Sequence, residues 1–489
     1  MGVPSHAGDF TKTSDLAENE VRDVNSADGG WRPVVSGHLK NGVRFAILPR
    51  RDAEPGLGVL MRNEGGFIEE RRPGERGLAH LIEHIAFLSP TINAPDDLHH
   101  LIKIGSHLTL PAPSAGTTSW RETNYFFSTT TNSLENLDKM LGLLREVATD
   151  LTFRRDAVDE GRAQVVQEMA GRKSGNDIYA DYIAAVAPGS PTDVIDAQNS
   201  DDVPNANINT IRMLYHRLYQ PANMMIVIVG NVDPAKARRL IQKRFGDWKG
   251  TRFVHTRVSQ FQSDKIRPIS FSARQQGRRI AMVTVVAPTP LREKSSRLQA
   301  ESMLMDMLAI RVVNNRLGRT RPHSTPGNVG MFIDDGSQGQ RMIMLWNNFG
   351  QGQWQSAVSA LWRATCDIRT KGFSDSEWET ARLDVLQDLQ QRANTMGETP
   401  NVELAKDLSH ALAMHRELIP PDQLLRYARS YLPTIRSAQG NQWFKKQWRR
   451  GKEHLRVEAP ELAQTTKPIA AIRATASRAT NPAICKVRQ

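Results

Sequence analysis

The stretch GERGLAHLIEHIAFLSP, residues 74–90, places two histidines and a glutamate within five positions. Apolar residues surround them, and the stretch ends in Ser89-Pro90, where proline disfavours helix in the residue before it. The sequence therefore predicts a helix over about 76–88. Residues four apart lie on one face of a helix, so His80 and His84 can point at one ion.

The two histidines indicate a zinc site with a base beside it. Catalytic zinc takes three protein ligands and leaves its fourth position to water. Glu83 lies at the edge of the histidine face, where its carboxylate can take a proton from such a water without binding the metal. This H-x-x-E-H order is the inverzincin pattern. The alternative is a pair of surface histidines on an ordinary helix.

A third ligand is expected from a later helix. The stretch VDEGRAQVVQEM has helical spacing and offers two carboxylates, Glu160 and Glu168. His99 and His100 are rival ligands, although both read as an exposed helical edge. The residues alone leave this choice open.

The order of predicted elements in the first half of the chain recurs in outline in the second half, which predicts an α+β protein of two similar α/β-sandwich domains. Each domain is expected to hold a mostly antiparallel sheet covered by helices. The predicted divisions are a disordered segment over 1–35, a zinc-binding catalytic domain over 36–255, a non-catalytic domain over 265–457 and a flexible tail over 458–489.

Composition narrows the function. The net charge of +12 raises nucleic acid as a partner, but the basic residues are dispersed and no nucleic-acid motif is present, so no such partner is expected. No apolar run is long enough to span a membrane. Cys366 and Cys485 are the only cysteines, which makes a disulfide framework unexpected and fits a reducing compartment.

The chain resembles the pitrilysin/insulinase family of zinc peptidases. The similarity begins in LKNGVRFAILP and GERGLAHLIEHIAF and continues through ETNYFF, VDEGRAQVVQEM and YHRLYQPANMMIVIVGNVDP. It is strong over about residues 36–250 and looser afterwards, through GFSDSEWETAR. The resemblance implies a metalloendopeptidase with one zinc per chain, held by His80, His84 and Glu168, with Glu83 as the catalytic base.

Three departures from the family pattern stand out. The family usually has a glutamate seven residues before its third ligand, supporting the site; this chain has Gly161 there, with Glu160 beside it as the expected support. Eighty-four residues separate His84 from Glu168, longer than is typical, which predicts an insertion. An Asn-Ala pair that helps hold the substrate backbone is replaced by Ala115-Gly116; with Tyr125 these are the expected substrate-binding residues.

The resemblance also implies partners. The family encloses small or unfolded polypeptides between two halves, and this chain corresponds to one half. A homodimer, or a heterodimer with a second half-length subunit, is therefore expected. No secretory signal is visible, which predicts a cytoplasmic location for the sequence as written, whereas the family resemblance allows a periplasmic one. The alternative function is a catalytically impaired relative that binds peptides or acts as a scaffold.

Overall fold

Two sheets, one in each half of the chain, share a strand order. A computed structural model describes residues 31, 33–51, 55–111, 115–119, 121–172, 200–251, 255, 269–275, 277–288, 295–320, 329–335 and 340–480. The first sheet has the order β1-β2-β6-β3-β5-β4 and the second the order β7-β11-β8-β10-β9. In each sheet one neighbouring pair is parallel (β2 with β6, β7 with β11) and the remaining pairs are antiparallel. Apart from the additional edge strand β1, the two sheets therefore correspond strand by strand.

The elements of the first half alternate between the sheet and the helices that cover it. They are β1 (Val35–His38), β2 (Arg44–Pro49), β3 (Leu57–Asn63), α1 (Leu78–Leu88), α2 (His100–Leu108), β4 (Gly116–Thr118), β5 (Thr123–Ser128), α3 (Leu134–Thr149), α4 (Arg155–Arg172), α5 (Ile208–Leu218), β6 (Met224–Gly230) and α6 (Pro234–Phe245).

The second half repeats this order with additional helices. Its elements are β7 (Ile269–Arg274), β8 (Ile280–Pro288), α7 (Ser296–Thr320), β9 (Val329–Asp335), β10 (Gln340–Asn348), α8 (Trp354–Thr370), α9 (Asp375–Asn394), α10 (Asn401–Ala413), α11 (Pro421–Tyr431), α12 (Ser437–Arg450), β11 (Lys452–Glu458) and α13 (Pro468–Ala479). The predicted fold class, two α+β domains with helix-covered and mostly antiparallel sheets, is confirmed.

Each sheet buries one face against the helices of its own half. In the first half, inward residues of β2, β3 and β6 such as Ile47, Val59 and Ile228 pack with Leu81 and Ile85 of α1. In the second half, residues such as Val283 and Leu345 pack with helices α7, α8 and α9. Burial of these apolar faces is the main force that fixes α1 against its sheet.

The opposite face of the first sheet is covered by a helix from the second half. Leu404 and Leu408 of α10 pack against Leu60 and Val227 of the sheet. A β-carbon at Gly58 would lie 2.2 Å from the carbonyl oxygen of Asn401, so the absence of a side chain allows this close approach.

A buried arginine joins the same two parts of the chain. Arg50, which follows β2, donates to the carbonyl oxygens of Met396 and Thr399 at 2.9 and 2.8 Å. It also donates to Oδ1 of Asn401 at 3.0 Å, and the amide of Asn401 donates to the carbonyl of Gly56 at 3.0 Å. The two halves are therefore connected by buried polar contacts as well as by apolar packing.

Two sequence predictions about the ends of the chain are wrong in part. Residues 458–480 do not form a flexible tail, because α13 buries Ile472 and Ala476 in the second core; residues 481–489 lie outside the described part of the chain. At the other end, Trp31 is already buried and bridges to Arg50, while 1–30 lie outside the described residues.

Two further observations concern membrane spans and cysteines. Among the described residues no helix is both long and apolar enough to cross a membrane. Cys366 is buried in α8, and the other cysteine, Cys485, lies outside the described residues.

Candidate metal centre

Helix α1 is held at its start by a half-buried glutamate. Glu70 accepts the backbone N–H groups of Gly77 and Ala79, both at 2.8 Å, and so satisfies donors that have no partner within the helix. Burial raises the pKa of Glu70 to about 8, while the two N–H donors oppose that shift. Gly77 precedes the helix at φ 84°, a left-handed conformation that favours glycine.

The candidate ligands converge where α1 packs on α4. The Nε2 atoms of His80 and His84 lie 3.2 Å apart. Oε2 of Glu168 lies 3.4 Å from Nε2 of His80 and 3.3 Å from Nε2 of His84. These three residues are the group of metal-binding side chains found in the described part of the chain.

The spacing of the three atoms fits a tetrahedral zinc ion. Ligands at about 2.0–2.2 Å from such an ion lie about 3.3–3.6 Å from one another. The measured separations of 3.2, 3.3 and 3.4 Å are close to this range. Two imidazoles and one carboxylate are also a donor set that zinc accepts, with one position left for water.

The three candidate ligands differ in the exposed fraction of their side chains. The side chain of His80 is 8% exposed, that of His84 20% and that of Glu168 31%. The ligand atoms therefore face solvent on the side of Glu168, where a substrate could approach.

Glu83 is buried between α1 and the edge strand β4. Thr118 of β4 donates its hydroxyl to Oε2 of Glu83 at 2.8 Å. A β-carbon at Gly116 would lie 2.3 Å from Oε1 of Glu83 and 3.0 Å from the ring of Phe87. The glycine thus lets the strand backbone approach the carboxylate, and the threonine orients it.

Strand β4 is the outer strand of its sheet and pairs only with β5 among the described strands. Ala115 accepts from Phe126 and Ser119 donates to Glu122, so the odd-numbered residues of this strand bond towards β5. In an antiparallel pair the alternate residues direct their N–H and C=O groups the other way. Those of Gly116 and Thr118 therefore point to the outer edge, beside Glu83.

The carboxylate predicted to support the site does so through an intermediate residue. Nδ1 of His84 lies 3.0 Å from Oε1 of Gln164, and Nε2 of Gln164 lies 3.3 Å from Oε1 of Glu160. The other oxygen of Glu160 lies 3.1 Å from Nε2 of His99. Glu160 is thus two hydrogen bonds away from a candidate ligand.

Several candidates from the sequence lie elsewhere. His99 contacts Glu160 and not the ligand cluster. His100 bonds Asp97 and Glu146, both at 3.1 Å, and likewise stays outside the cluster. Neither histidine is the third ligand in this arrangement.

The substrate-binding prediction is wrong for Tyr125. Its side chain is completely buried, and its hydroxyl lies 2.5 Å from that of Tyr219 beneath α1. Burial raises the pKa of both phenols. Tyr125 therefore packs the core under the site, while Ala115 and Gly116 lie at the strand edge.

Sequence reasoning missed three residues of this region: Gln164, Thr118 and Glu70. Gln164 could have been found, because it precedes Glu168 by four residues and so shares its helix face. The other two could not, because their positions depend on how α1 packs against distant segments.

Two family models match the chain. The model described as Insulinase (Peptidase family M16) matches residues 65–185, and the model described as Peptidase M16 inactive domain matches residues 205–383. Together they cover more than half of the 489 residues.

Curated relatives agree with these matches. The chain is 21% identical over 401 residues to "Probable zinc protease PqqL" of Escherichia coli (strain K12), covering 80% of this chain and 42% of that protein. It is 27% identical over 214 residues to "Zinc protease PqqE" of Helicobacter pylori, covering 43% and 46%. The matched part thus spans less than half the length of either relative.

A solved structure has the same fold. The crystal structure of the first half of the periplasmic protease PqqL from Escherichia coli superposes with a TM-score of 0.75 at 18% identity. The superposition covers 93% of this chain and 97% of that one. At this identity the match bears on the fold alone.

Proposed function

The chain belongs to the insulinase (M16) family of peptidases, and from that premise we propose that it is a zinc-dependent endopeptidase. The observation that carries the proposal is the convergence of His80, His84 and Glu168, with Glu83 on the same helix as the two histidines. We propose one zinc per chain, with these three residues as its ligands. Zinc bound there would lower the pKa of a water molecule and polarise a peptide carbonyl.

Glu83 is the general base of the proposed reaction. Its carboxylate accepts the proton of the attacking water and then returns it to the leaving amine. Thr118 holds one carboxylate oxygen, and burial between α1 and β4 keeps the group in place. An amide at this position could not take the proton.

The outer edge of β4 is the proposed binding place for the peptide. A substrate in extended form would add to this edge as a further strand, bonding to the outward N–H and C=O groups of Thr118. This mode reads the backbone more than the side chains, which fits small or unfolded polypeptides as the substrate class. Ala115 and Gly116 remain the proposed contact residues at its start.

The two halves of the chain have different proposed roles. Residues 36–255 are the proposed catalytic domain, and the second half, which continues through α13, is the proposed non-catalytic one, with α10 of the second half packed on the first sheet. The proposed location is periplasmic. The relative solved as a periplasmic protease is in line with this proposal.

A second function, a peptide-binding subunit without activity, is favoured by the replacement of Asn-Ala by Ala115-Gly116. The two functions differ in one experiment. Purified parent, Glu83→Gln and His84→Ala are compared for zinc content and for cleavage of unfolded polypeptides. We expect the parent to bind zinc and cleave, Glu83→Gln to bind zinc without cleaving, and His84→Ala to lose both. Equal cleavage by Glu83→Gln and the parent would refute the mechanism, and a zinc-loaded parent that does not cleave even with its partner subunit present would favour the binding subunit.

A further inference from the structure

We propose that Gln164 is the positioning residue of the metal centre. Its amide oxygen accepts the Nδ1 proton of His84, which leaves Nε2 of that ring unprotonated and directed at the ion. This inference rests on the proposed function, because it assumes that His84 is a zinc ligand. It assigns to Gln164 a role that the family pattern gives to a different position.

The direction of each hydrogen bond follows from Glu160. A carboxylate can only accept, so the atom of Gln164 that faces Glu160 is the amide nitrogen. The amide oxygen of Gln164 must then face His84, and Nδ1 of His84 must be the donor. A neutral imidazole carries one proton, so its Nε2 keeps the lone pair that a metal requires.

His99 extends this chain of bonds into the segment between α1 and β4. Its Nε2 lies 3.1 Å from the second oxygen of Glu160, and its backbone has φ 62°, a left-handed conformation that is uncommon outside glycine. Glu160 is thus held from two sides, by His99 and by Gln164. This arrangement fixes the carboxylate that orients the amide.

Gly161 explains why the support comes from position 164. A β-carbon there would lie 3.2 Å from Cγ1 of Ile85 and 3.5 Å from Cδ1 of Leu88. Position 161 therefore faces apolar residues of α1 at close range, and a side chain there would require Ile85 to shift. One turn further along α4, Gln164 faces His84 at hydrogen-bonding distance.

The test measures zinc affinity of the full chain by competition with a chelator. Gln164→Leu removes the acceptor, and we expect it to weaken zinc binding about 10- to 100-fold. Gln164→Glu keeps an oxygen facing Nδ1 but sets a second carboxylate against Glu160, so it should restore only part of the affinity. The exchange Glu160→Gln with Gln164→Glu keeps every donor opposite an acceptor and should bind zinc like the parent.

The matched control is Gln167→Leu, an exposed glutamine on the same helix. Unchanged affinity in Gln164→Leu, equal losses in Gln164→Leu and Gln167→Leu, or no recovery in the Glu160→Gln with Gln164→Glu exchange would each overturn the proposal. Because Gln164 is exposed, folding should be kept, and thermal unfolding of the metal-depleted variants checks this.

His84→Ala separates the role proposed for Gln164 from the proposed metal site on which that role rests. If His84→Ala loses zinc while Gln164→Leu binds like the parent, only the role of Gln164 fails. If His84→Ala binds zinc like the parent, the metal site itself is wrong.

Discussion

Arg311 of α7 forms a salt bridge with Asp388 of α9, and in the first half His80 of α1 likewise lies close to Glu168 of α4. Since the sheets correspond strand by strand, α7 and α9 are the counterparts of α1 and α4. One turn along α7, Asn315 donates to Asp384 at 2.7 Å, as His84 contacts Gln164. The second half thus keeps the helix pair of the metal site but fills it with an ion pair and an amide.

This correspondence predicts a single zinc per chain. A guanidinium and an amide cannot bind the ion, so Asp388→Ala should leave the zinc content at about one per chain, whereas Glu168→Ala should lose it. Metal analysis of the purified variants gives the count. The Arg311–Asp388 pair is partly exposed, so its loss should cost at most about 1 kcal/mol of stability. A zinc content near two in the parent would contradict the interpretation.

Gly116 is predicted to act on the chemistry and not on the metal. In Gly116→Ala the new β-carbon would meet Oε1 of Glu83 at 2.3 Å and force the carboxylate to move. Zinc content and melting temperature should stay near those of the parent, because the displaced group is the end of a side chain. We expect kcat to fall about 10- to 100-fold from misplacement of the base.

The control for this variant is Gly105→Ala on α2, where a β-carbon would meet no atom within 4 Å. It should cleave at the parent rate. Parental kcat in Gly116→Ala would show that Glu83 tolerates the shift, and that the close approach of β4 to this carboxylate does not require a glycine.

The contact between Gly58 and Asn401 is predicted to connect the stability of the two halves. In Gly58→Ala the β-carbon would collide with the backbone of Asn401, which cannot move as easily as a side-chain end. We expect a loss of about 1–3 kcal/mol of unfolding free energy, typical of overpacking. Denaturant unfolding measures it, with Gly318→Ala as the control because a β-carbon there meets nothing within 4 Å. No loss in Gly58→Ala would mean that α10 can shift away from the sheet.

The sequence predicts helix α1 well because the signals for this helix are local. The i, i+4 histidines and the stop at Ser89-Pro90 lie within one short stretch and need no knowledge of the partner. The packing of α10 on the first sheet was not predicted, since it joins segments more than 300 residues apart, as the Arg50–Asn401 bond shows. Helix α13 was read as a tail because PIAAIRATASRA is rich in small and polar residues, and only the packing of Ile472 and Ala476 reveals its role.

His454 of β11 is predicted to make stability depend on pH. It is completely buried beside Ser272, and burial, with a contribution from Arg456, lowers the pKa of its imidazole to about 3. An unfolded chain would protonate this histidine near pH 6.5. As the pH falls from about 6.5 towards 3, the unfolded state therefore binds one more proton and stability falls by up to about 1.4 kcal/mol per pH unit.

The corresponding measurement compares thermal unfolding of the parent and His454→Gln at pH 7.5 and 5.5. The variant should lose less stability over this range, since glutamine does not titrate. His107→Gln, at an exposed position of α2, should follow the parent. Equal slopes in the parent and His454→Gln would contradict the prediction.

The last prediction concerns a partner subunit. The matched part of the chain spans less than half of the curated relatives, and the fold covers 97% of a solved first half of one such protease. The ligand cluster is partly exposed on the side of Glu168, and β4 is the outermost strand of its sheet among the described strands. A second subunit would cover this side of the site and restrict entry to small or unfolded chains.

We therefore expect the isolated chain to show little activity as a monomer and to associate with itself or with a second half-length subunit. Sedimentation and specific activity are measured over the same range of protein concentration, with Glu83→Gln as an inactive control that should assemble like the parent. Specific activity should rise as the assembled fraction rises. A chain that sediments as a monomer at every concentration and still cleaves peptides with a kcat of about 1 per second or more would show that no second half is needed.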